Sequence, residues 1–365
     1  MDYKFKSEKR SWKSEGYKQV DLNSSPMILL IGNYLSDPHH NQNAWQDLAA
    51  HLRSAGYSVV TTSHVQNKVF RLLDMLCTIY TQRNHYQLAQ IDVFSGPAFT
   101  WAYLSGRLLK SLNKCFILTL HGGNLPQFAK KHERQVRWLL SQASAVTAPS
   151  RYLQQKMRDY RSNLLMIPNA LDIQRYKHME RSQPQPKLVW LRGFHEIYHP
   201  QLAVEVLAIL KEQFPQISLT MVGPDKGDGS LEKTSAWANE LKVNELISIP
   251  GGVQKTNVPD WLNKGDIFLN TTNIDNTPIS VMEAMACGLC IVSTNVGGLP
   301  YLLEDGVDAL LVPPNDPEAM AAAVRRILTE PGLAERLSTN ARRKAEQFDW
   351  SIILPQWERL FESIK

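Results

Sequence analysis

The first turn of one short helix carries the most specific chemistry in the sequence. Pro278 and Gly288 stand at the two ends of an apolar segment, which is typical punctuation for the start and the end of a helix. The backbone amides of Ile279, Ser280 and Val281 would then lack partners within the helix, and the helix dipole would add partial positive charge there. Such a turn favours the binding of a phosphate group.

Two acidic residues flank this turn, eight positions apart. Glu283 lies one turn inside the predicted helix, where its two oxygens can accept hydrogen bonds from vicinal hydroxyls such as those of a ribose. Asp275 lies in the polar loop before the helix, on the side toward whatever extends from the phosphates. This arrangement favours a nucleotide sugar as the ligand.

The string from Asp275 to Glu283, followed by Ala-Met-Ala-Cys-Gly and Ser-Thr-Asn-Val-Gly-Gly, resembles the E-x7-E signature of the retaining family 4 glycosyltransferases, which have the GT-B fold. The resemblance implies that Asp275 meets the donor sugar and that Glu283 holds the ribose. It also implies that the residues between them bind sugar and phosphate, here Thr277, Ile279 and Ser280. Two departures stand out, because Asp275 replaces the first glutamate and Thr277-Pro278 replaces an aromatic-glycine pair.

Basic residues for the diphosphate come from other loops. Arg192 follows an apolar run that reads as a strand, and its planar guanidinium suits a diphosphate. Members of the resembled family pair this arginine with a lysine several residues on, but residues 194–200 contain none. Either His195 or His199 replaces that lysine, or Lys226 in the glycine-rich loop 223–229 supplies the charge. We favour Lys226.

A histidine and several glycines mark the other predicted loops of a cleft. His121 can donate to a sugar hydroxyl and titrates near neutrality, and the resembled family has a histidine here that contacts the transferred sugar. A purely structural histidine is the alternative. Gly122 and Gly123 follow it directly, and Gly32 and Gly193 follow two other predicted strands, where glycine lets the backbone approach a ligand closely.

All these residues follow predicted strands, and the strands alternate with helices along the chain. In open parallel sheets, ligands bind outside the carboxyl ends of the strands. We therefore predict an α/β protein with two Rossmann-like domains facing each other across a cleft, the GT-B arrangement that the resemblance also implies. In chain order we expect a flexible arm (1–25), an N-terminal acceptor domain (26–172), a linker (173–186), a C-terminal donor domain (187–348) and a helix that crosses back to the first domain (349–365).

Two elements of the first domain are predicted with particular bounds. An apolar run predicts a strand over residues 91–94, and a mixture of basic and apolar residues predicts one amphipathic helix over residues 127–140. That helix either lies on an anionic membrane surface, as in related glycosyltransferases with lipid-linked acceptors, or packs against the domain with a solvated basic face.

Charge is distributed unevenly between the two halves. The 365 residues, 43% of them hydrophobic, are enough for two domains. Residues 1–185 contain 24 Lys and Arg against 12 Asp and Glu, whereas residues 186–365 contain 16 against 23. The basic half suggests an anionic partner, either membrane phospholipid or a phosphate-linked acceptor, and we expect no nucleic acid partner.

The sequence gives little support for a metal, a cofactor or a membrane span. Cys287 and Cys290 spell CxxC, but no second pair completes a zinc site, and Asp225 and Asp228 do not form a DxD motif. The adjacent pair 39–40, two histidines, reads as a solvated loop. We expect no cofactor and no obligatory metal. Four scattered cysteines and no secretory signal indicate a reducing compartment, so we expect a cytoplasmic protein, with peripheral contact to the inner face of the membrane as an option. No apolar run reaches about 18 residues, so we expect no membrane span.

These observations predict an enzyme that moves a sugar from a nucleoside-diphosphate sugar, with UDP as the family's frequent nucleotide, to a saccharide or lipid-linked acceptor with retention of anomeric configuration. His121, Asp275 and Glu283 are the candidate catalytic residues. Two alternatives stay open: a nucleotide-sugar epimerase, which would need further acid-base residues in the first domain, and a catalytically silent subunit that only binds the nucleotide sugar.

Overall fold

The computed structural model describes residues 27–34 and 44–364, which form two α/β lobes. The predicted arm and the histidine pair at 39–40 lie outside the described residues.

The first lobe is built on a parallel sheet of six strands in the order β2-β1-β3-β4-β5-β6. The strands are β1 Met27–Ile31, β2 Val59–Thr62, β3 Tyr86–Val93, β4 Cys115–Leu120, β5 Ala145–Ala148 and β6 Leu164–Met166. The helices of this lobe are α1 Ala44–Ser54, α2 Lys68–Thr81, α3 Ala98–Ser111, α4 Leu125–Lys131, α5 Glu133–Gln142 and α6 Arg151–Lys156.

The second lobe repeats this plan, with the strand order β12-β11-β10-β7-β8-β9. Its strands are β7 Lys187–Leu191, β8 Ser218–Val222, β9 Ile247–Gly251, β10 Ile267–Asn270, β11 Cys290–Thr294 and β12 Leu310–Val312. Its helices are α7 Pro200–Leu210, α8 Ser230–Glu240, α9 Val258–Leu262, α10 Ile279–Cys287, α11 Leu299–Leu302, α12 Pro317–Thr329 and α13 Leu333–Ala345. The last helix, α14, spans Trp350–Ser363.

The strand order of each sheet indicates where a ligand-binding crevice would form. Helices cover both faces of each sheet, so the central strands are continuous apolar runs, as in Ile28–Ile31 and Ile267–Leu269. The order reverses between β1 and β3 in the first sheet and between β7 and β10 in the second. Loops that follow these strands diverge and leave a crevice. The prediction of an α/β protein with two Rossmann-like lobes is confirmed.

Two elements differ from their predicted bounds. Strand β3 begins at Tyr86 rather than at residue 91, because Gln90, whose polar side chain interrupts the apolar pattern, is buried and donates to Asp92 (2.8 Å) and Thr119 (2.9 Å). The single helix predicted over 127–140 is wrong. The chain forms α4 and α5, which break at His132, where φ is −122° and ψ is 38°.

The two chain connections between the lobes lie side by side. The Leu171 amide donates to the Phe348 carbonyl (2.8 Å), and the Trp350 amide donates to the Leu171 carbonyl (3.1 Å). Asp349 accepts from the Ile173 amide (3.1 Å) and caps α14. Helix α14 then packs its apolar face on the first lobe, with buried residues Trp350, Ile353, Trp357, Leu360 and Phe361 against Ile28, Leu30, Leu48 and Leu52.

The segment between the lobes, residues 173–186, is held tightly by one buried arginine. Arg181 is 2% exposed and donates to the carbonyls of Met179, Cys287 and Gly265, to Asn263 and to Asp266. The composition of this segment suggests a polar linker, but the guanidinium makes it part of the second lobe.

Candidate active site

Helix α10 begins at the cleft with an uncapped first turn. Pro278 precedes it in an extended conformation, and no side chain among the described residues caps it. The amide of Val281, predicted to be unpartnered, donates to the Pro278 carbonyl at 3.2 Å, which leaves the amides of Ile279 and Ser280 as the candidates for binding a ligand. The loop before α10 follows β10, one of the two strands at the reversal of strand order.

A cavity of about 290 Å³ opens at this turn. It brings together five residues predicted for donor binding: Arg192, Lys226, Ile279, Ser280 and Glu283. Within the described residues, two buried polar atoms on its walls have no hydrogen-bond partner: Arg192 Nε and Ser280 Oγ. Because buried polar atoms are nearly always paired, these two atoms indicate a polar ligand in the cavity.

Arg192 is fixed from two sides. Its guanidinium lies over the ring of Tyr198, 4.3 Å from the centroid, and forms an ion pair with Asp275. The two predicted donor ligands Arg192 and Asp275 therefore contact each other directly. This ion pair also means that Asp275 is not a free carboxylate at the cleft.

Lys226 is the lysine that reaches the cavity. Its side chain crosses directly above Gly193, where an added Cβ would lie 2.5 Å from Lys226 Cε. His195 and His199 do not line the cavity. The Nδ1 atom of His195 instead accepts from the Ile197 amide at 3.2 Å. Of the alternatives that the sequence left open, only Lys226 lines the cavity together with Arg192.

Glu283 is 6% exposed and accepts a hydrogen bond from the Tyr176 hydroxyl at 2.8 Å. Burial raises the pKa of Glu283, while nearby Lys255, the Tyr176 hydroxyl and Arg192 act in the opposite direction. Tyr176 lies in the segment between the lobes, 107 positions away, and sequence reasoning missed it. Nothing in its local pattern points to Glu283.

Lys255 and Asp47 also line the cavity, and the sequence analysis missed both. They form an ion pair that joins the second lobe, through Lys255, to helix α1 of the first lobe. The side-chain exposures are 16% and 20%, so the pair is largely shielded from water. The first lobe therefore contributes a charged residue to the wall of the cavity.

His121 is 5% exposed and lies at the end of β4, with its Nε2 atom 3.4 Å from Asp92 Oδ1. Burial lowers the pKa of His121, although Asp92 acts against this shift. The ring is thus neutral at pH 7. The Asp92 carboxylate also packs against Gly32, where an added Cβ would lie 2.3 Å from Oδ2.

The glycine loop after His121 touches the loop before α10. An added Cβ on Gly123 would lie 2.5 Å from the Asp275 carbonyl oxygen, so only glycine permits this approach of the two lobes. Gly122 has φ +80° and open space around it. Thr277, predicted to bind the donor, is not among the residues that line the cavity, and its carbonyl accepts from Asn169 of the first lobe at 3.2 Å. Its hydroxyl is buried without a hydrogen-bond partner among the described residues, so its assignment to the donor stays a prediction.

The structure gives little support for a redox or metal site or for a membrane span in the described residues. Cys287 and Cys290 are buried free thiols, and burial raises the pKa of each to about 12. Residues 27–34 and 44–364 contain no group of three or more His, Cys, Asp or Glu arranged to hold a metal ion. Over the same residues, no helix is both long enough and apolar enough to span a membrane.

Two family models match successive parts of the chain. The model described as Glycosyltransferase Family 4 matches residues 67–175, and the model described as Glycosyl transferases group 1 matches residues 177–344. Together they cover most of both lobes, in the order expected of a two-lobed enzyme. The chain belongs to the family 4 glycosyltransferases. The resemblance read from residues 275–283 is thereby confirmed.

Two curated relatives each match less than half of the chain. D-inositol 3-phosphate glycosyltransferase from Streptomyces bingchenggensis is 28% identical over 157 residues, which cover 41% of this chain and 34% of that protein. A phosphatidylinositol N-acetylglucosaminyltransferase component from Arabidopsis thaliana is 27% identical over 171 residues, or 46% of this chain and 37% of that protein. The chain spans only about a third of the length of the curated relatives it matches.

Solved structures show the same GT-B fold. Sucrose-phosphate synthase from Thermosynechococcus elongatus superposes with a TM-score of 0.77 at 19% identity, covering 93% of this chain and 99% of that one. Anabaena Alr3699/HepE in complex with UDP-glucose superposes with a TM-score of 0.74 at 16% identity, covering 92% and 99%. At these identities the likeness establishes the fold.

Proposed function

We propose that the chain transfers a sugar from a nucleoside-diphosphate sugar, with UDP as the nucleotide, to a hydroxyl of a saccharide or lipid-linked acceptor, with retention of anomeric configuration. The observation that carries the proposal is the cavity at the first turn of α10, where Arg192 Nε and Ser280 Oγ are buried without partners. A diphosphate offers these donors the acceptor oxygens that they lack.

The residues that line the cavity suggest where each part of the donor would bind. The amides of Ile279 and Ser280, together with Arg192 and Lys226, would surround the diphosphate, and Glu283 would accept from the ribose hydroxyls. Donors aimed at the diphosphate stabilise the charge that develops on it as the glycosidic bond breaks, an effect worth about 3–4 kcal/mol per donor in related electrostatic sites.

The carboxylates near the sugar favour a front-face reaction over a double displacement. Asp275 is ion-paired with Arg192, and Glu283 is engaged by Tyr176, so neither is an unpaired nucleophile. In the front-face route, the bond between the anomeric carbon and the phosphate oxygen breaks, and its electron pair stays on the phosphate. The acceptor oxygen bonds to the anomeric carbon from the same side, and its proton passes to the departing phosphate oxygen.

His121 fits a role in sugar recognition rather than in proton abstraction. Burial lowers the pKa of the ring and makes it a weak base, which disfavours proton abstraction. A neutral imidazole has only one N–H, and Asp92 lies 3.4 Å from Nε2, so a ring that donates to Asp92 would meet a sugar hydroxyl through its other nitrogen, as an acceptor. Glycine at 123 lets the two lobes approach closely at the Asp275 carbonyl, and such closure would exclude water and favour transfer over hydrolysis.

The proposal is tested by adding nucleotide sugars one at a time and measuring thermal stabilisation, followed by NMR of the product with a panel of saccharide and lipid-linked acceptors. We expect UDP-sugars to stabilise the protein and the product to keep the donor's anomeric configuration. Epimerised donor formed without acceptor would instead identify an epimerase. Binding without turnover across the panel would identify a protein that only binds the nucleotide sugar, and absence of nucleotide binding would refute all three.

We further propose peripheral contact with the anionic inner face of the cytoplasmic membrane. The basic residues Lys130, Lys131 and Arg134 are exposed on α4 and α5, whereas Val136 and Leu139 are buried. Such a surface attracts anionic lipid by charge and offers no apolar side chains for insertion. Co-sedimentation with phosphatidylserine vesicles should therefore be abolished by high salt, and salt-resistant binding would contradict this mode.

A further inference from the structure

The hydroxyl of Tyr176 donates a hydrogen bond to the carboxylate of Glu283, with an oxygen-to-oxygen distance of 2.8 Å. Both residues are buried, at 4% and 6% exposure. Burial, and after it the negative charge of Glu283, raises the pKa of the Tyr176 hydroxyl. The hydroxyl therefore stays protonated and acts only as a donor, so it favours the ionised carboxylate.

The backbone of Tyr176 is held by hydrogen bonds on both sides, which limits the movement of its ring. The Tyr176 amide donates to the Ile173 carbonyl (3.1 Å), and the Tyr176 carbonyl accepts from Arg342 Nη1 (3.0 Å). The Ile173 amide is bound in turn by Asp349 at the second connection between the lobes. A rigid donor on Oε1 of Glu283 fixes the rotation of the carboxylate and leaves its other oxygen for the cavity, which Glu283 lines.

We infer that Tyr176 is a positioning residue for nucleotide recognition: it orients Glu283 toward the ribose hydroxyls and ties that carboxylate to the segment joining the lobes. This inference rests on the proposed function, because it needs a nucleoside diphosphate in the cavity. The inference extends the proposed function by assigning ribose recognition to Tyr176 and Glu283 together, a pair of residues from different parts of the chain. A phenylalanine would preserve the packing of the ring while leaving Oε1 without its buried donor.

The charges around Glu283 define a second readout. Lys255 from the loop after β9 and Arg192 from the loop after β7 lower the pKa of Glu283, Asp47 from α1 raises it, and Tyr176 lowers it by hydrogen bonding. Cys287 on the same helix also faces Glu283, but its thiol is neutral, since burial raises its pKa to about 12. Loss of the Tyr176 hydroxyl should therefore raise the pKa of Glu283 further.

The test compares the binding of UDP and 2′-deoxy-UDP to the full chain by calorimetry. We expect Tyr176→Phe to weaken UDP binding about ten- to hundredfold, the range for a lost hydrogen bond to a charged group, and to shrink the preference for UDP over 2′-deoxy-UDP. The acidic limb of UDP binding should move to higher pH. Tyr86→Phe is the matched control, because it removes another buried hydroxyl, one that donates to the Ile79 carbonyl at 3.0 Å in the first lobe.

A double variant separates positioning from general stability. In the Glu283→Gln background the buried charge is absent, so Tyr176→Phe no longer leaves it without a donor. The double variant therefore allows UDP affinity to be compared even if the single Tyr176→Phe variant unfolds. We expect the second substitution to change UDP affinity by less than about twofold, because coupled residues are not additive. The inference would be overturned if Tyr176→Phe lowered UDP affinity as much in the Glu283→Gln background as in the parent. It would also be overturned if Tyr176→Phe alone matched the parent in UDP affinity, in preference for UDP over 2′-deoxy-UDP and in the pH dependence of binding. Either result would leave the proposed function intact. A parent chain that binds no UDP would refute the proposed function itself, and the inference with it.

Discussion

Arg192 and Asp275 form an ion pair across the cavity wall although they lie 83 positions apart in the chain. Each follows one of the two strands at which the order of the second sheet reverses. The carboxylate therefore occupies one side of the guanidinium that a diphosphate would use, and the donor must share or displace it.

This competition predicts opposite effects of one substitution on binding and on transfer. Asp275→Asn should bind UDP more tightly than the parent, because Arg192 loses its competing anion, while sugar transfer should fall about 100-fold or more through loss of a charge at the reacting sugar. Calorimetry with UDP and a steady-state assay with UDP-sugar measure the two effects. Asp159→Asn, at an exposed position of the first lobe, is the control. Weaker UDP binding by Asp275→Asn would contradict the competition.

Lys226 should contribute affinity for the diphosphate. Lys226→Ala removes a cation from the cavity, and we expect UDP to bind about ten- to hundredfold more weakly, as for a lost charge-assisted hydrogen bond. The deficit should shrink as salt is added, since salt screens the missing charge. Lys233→Ala, on the exposed face of α8, should bind UDP as the parent does. A Lys226→Ala variant of unchanged affinity would leave the diphosphate to Arg192 and the helix amides.

Gly123 should matter for closure of the lobes rather than for nucleotide binding. Gly123→Ala would place a methyl group 2.5 Å from the Asp275 carbonyl oxygen and force the lobes apart. Because small displacements of reacting groups are costly, we expect transfer to fall up to about 100-fold with UDP affinity largely kept. Asn124→Ala, one exposed position further along, is the control. Parallel losses of UDP affinity and transfer would argue against a role confined to closure.

Arg181 should hold the second lobe together. Arg181→Ala removes a buried guanidinium that donates to the carbonyls of Cys287 and Gly265 and pairs with Asp266, so we expect the free energy of unfolding to fall by about 3–5 kcal/mol. Arg175→Ala removes an exposed arginine whose ion pair with Asp172 is worth about 1 kcal/mol or less. Chemical denaturation followed by tryptophan fluorescence compares them, and equal destabilisation of the two variants would refute the assignment.

The sequence allows prediction of what depends on neighbours along the chain. Apolar runs bounded by glycine and proline identified both sheets. The loops after two strands contained Arg192 and Lys226, the helix after a third contained Ser280 and Glu283, and all four share one cavity. Even there, local pattern misled where a polar residue is buried, as Gln90 shows at the start of β3.

Contacts between distant parts of the chain were beyond the reach of such reasoning. Tyr176 and Lys255 look like ordinary polar positions in sequence, and their partners Glu283 and Asp47 lie 107 and 208 positions away. Only tertiary packing decides these cases.

The paired connections at Leu171 and Trp350 restrict how the two halves of the molecule can move. Two adjacent attachments act as one hinge line, so the halves can swing apart but cannot slide along each other. Leu171, Tyr176 and Trp350 border a small cavity together with Asp47 and Lys255, which also line the proposed nucleotide pocket. That pocket therefore lies next to the hinge line. The base and ribose would thus stay almost stationary during opening, while the far rim sweeps through the widest arc and admits bulky acceptors.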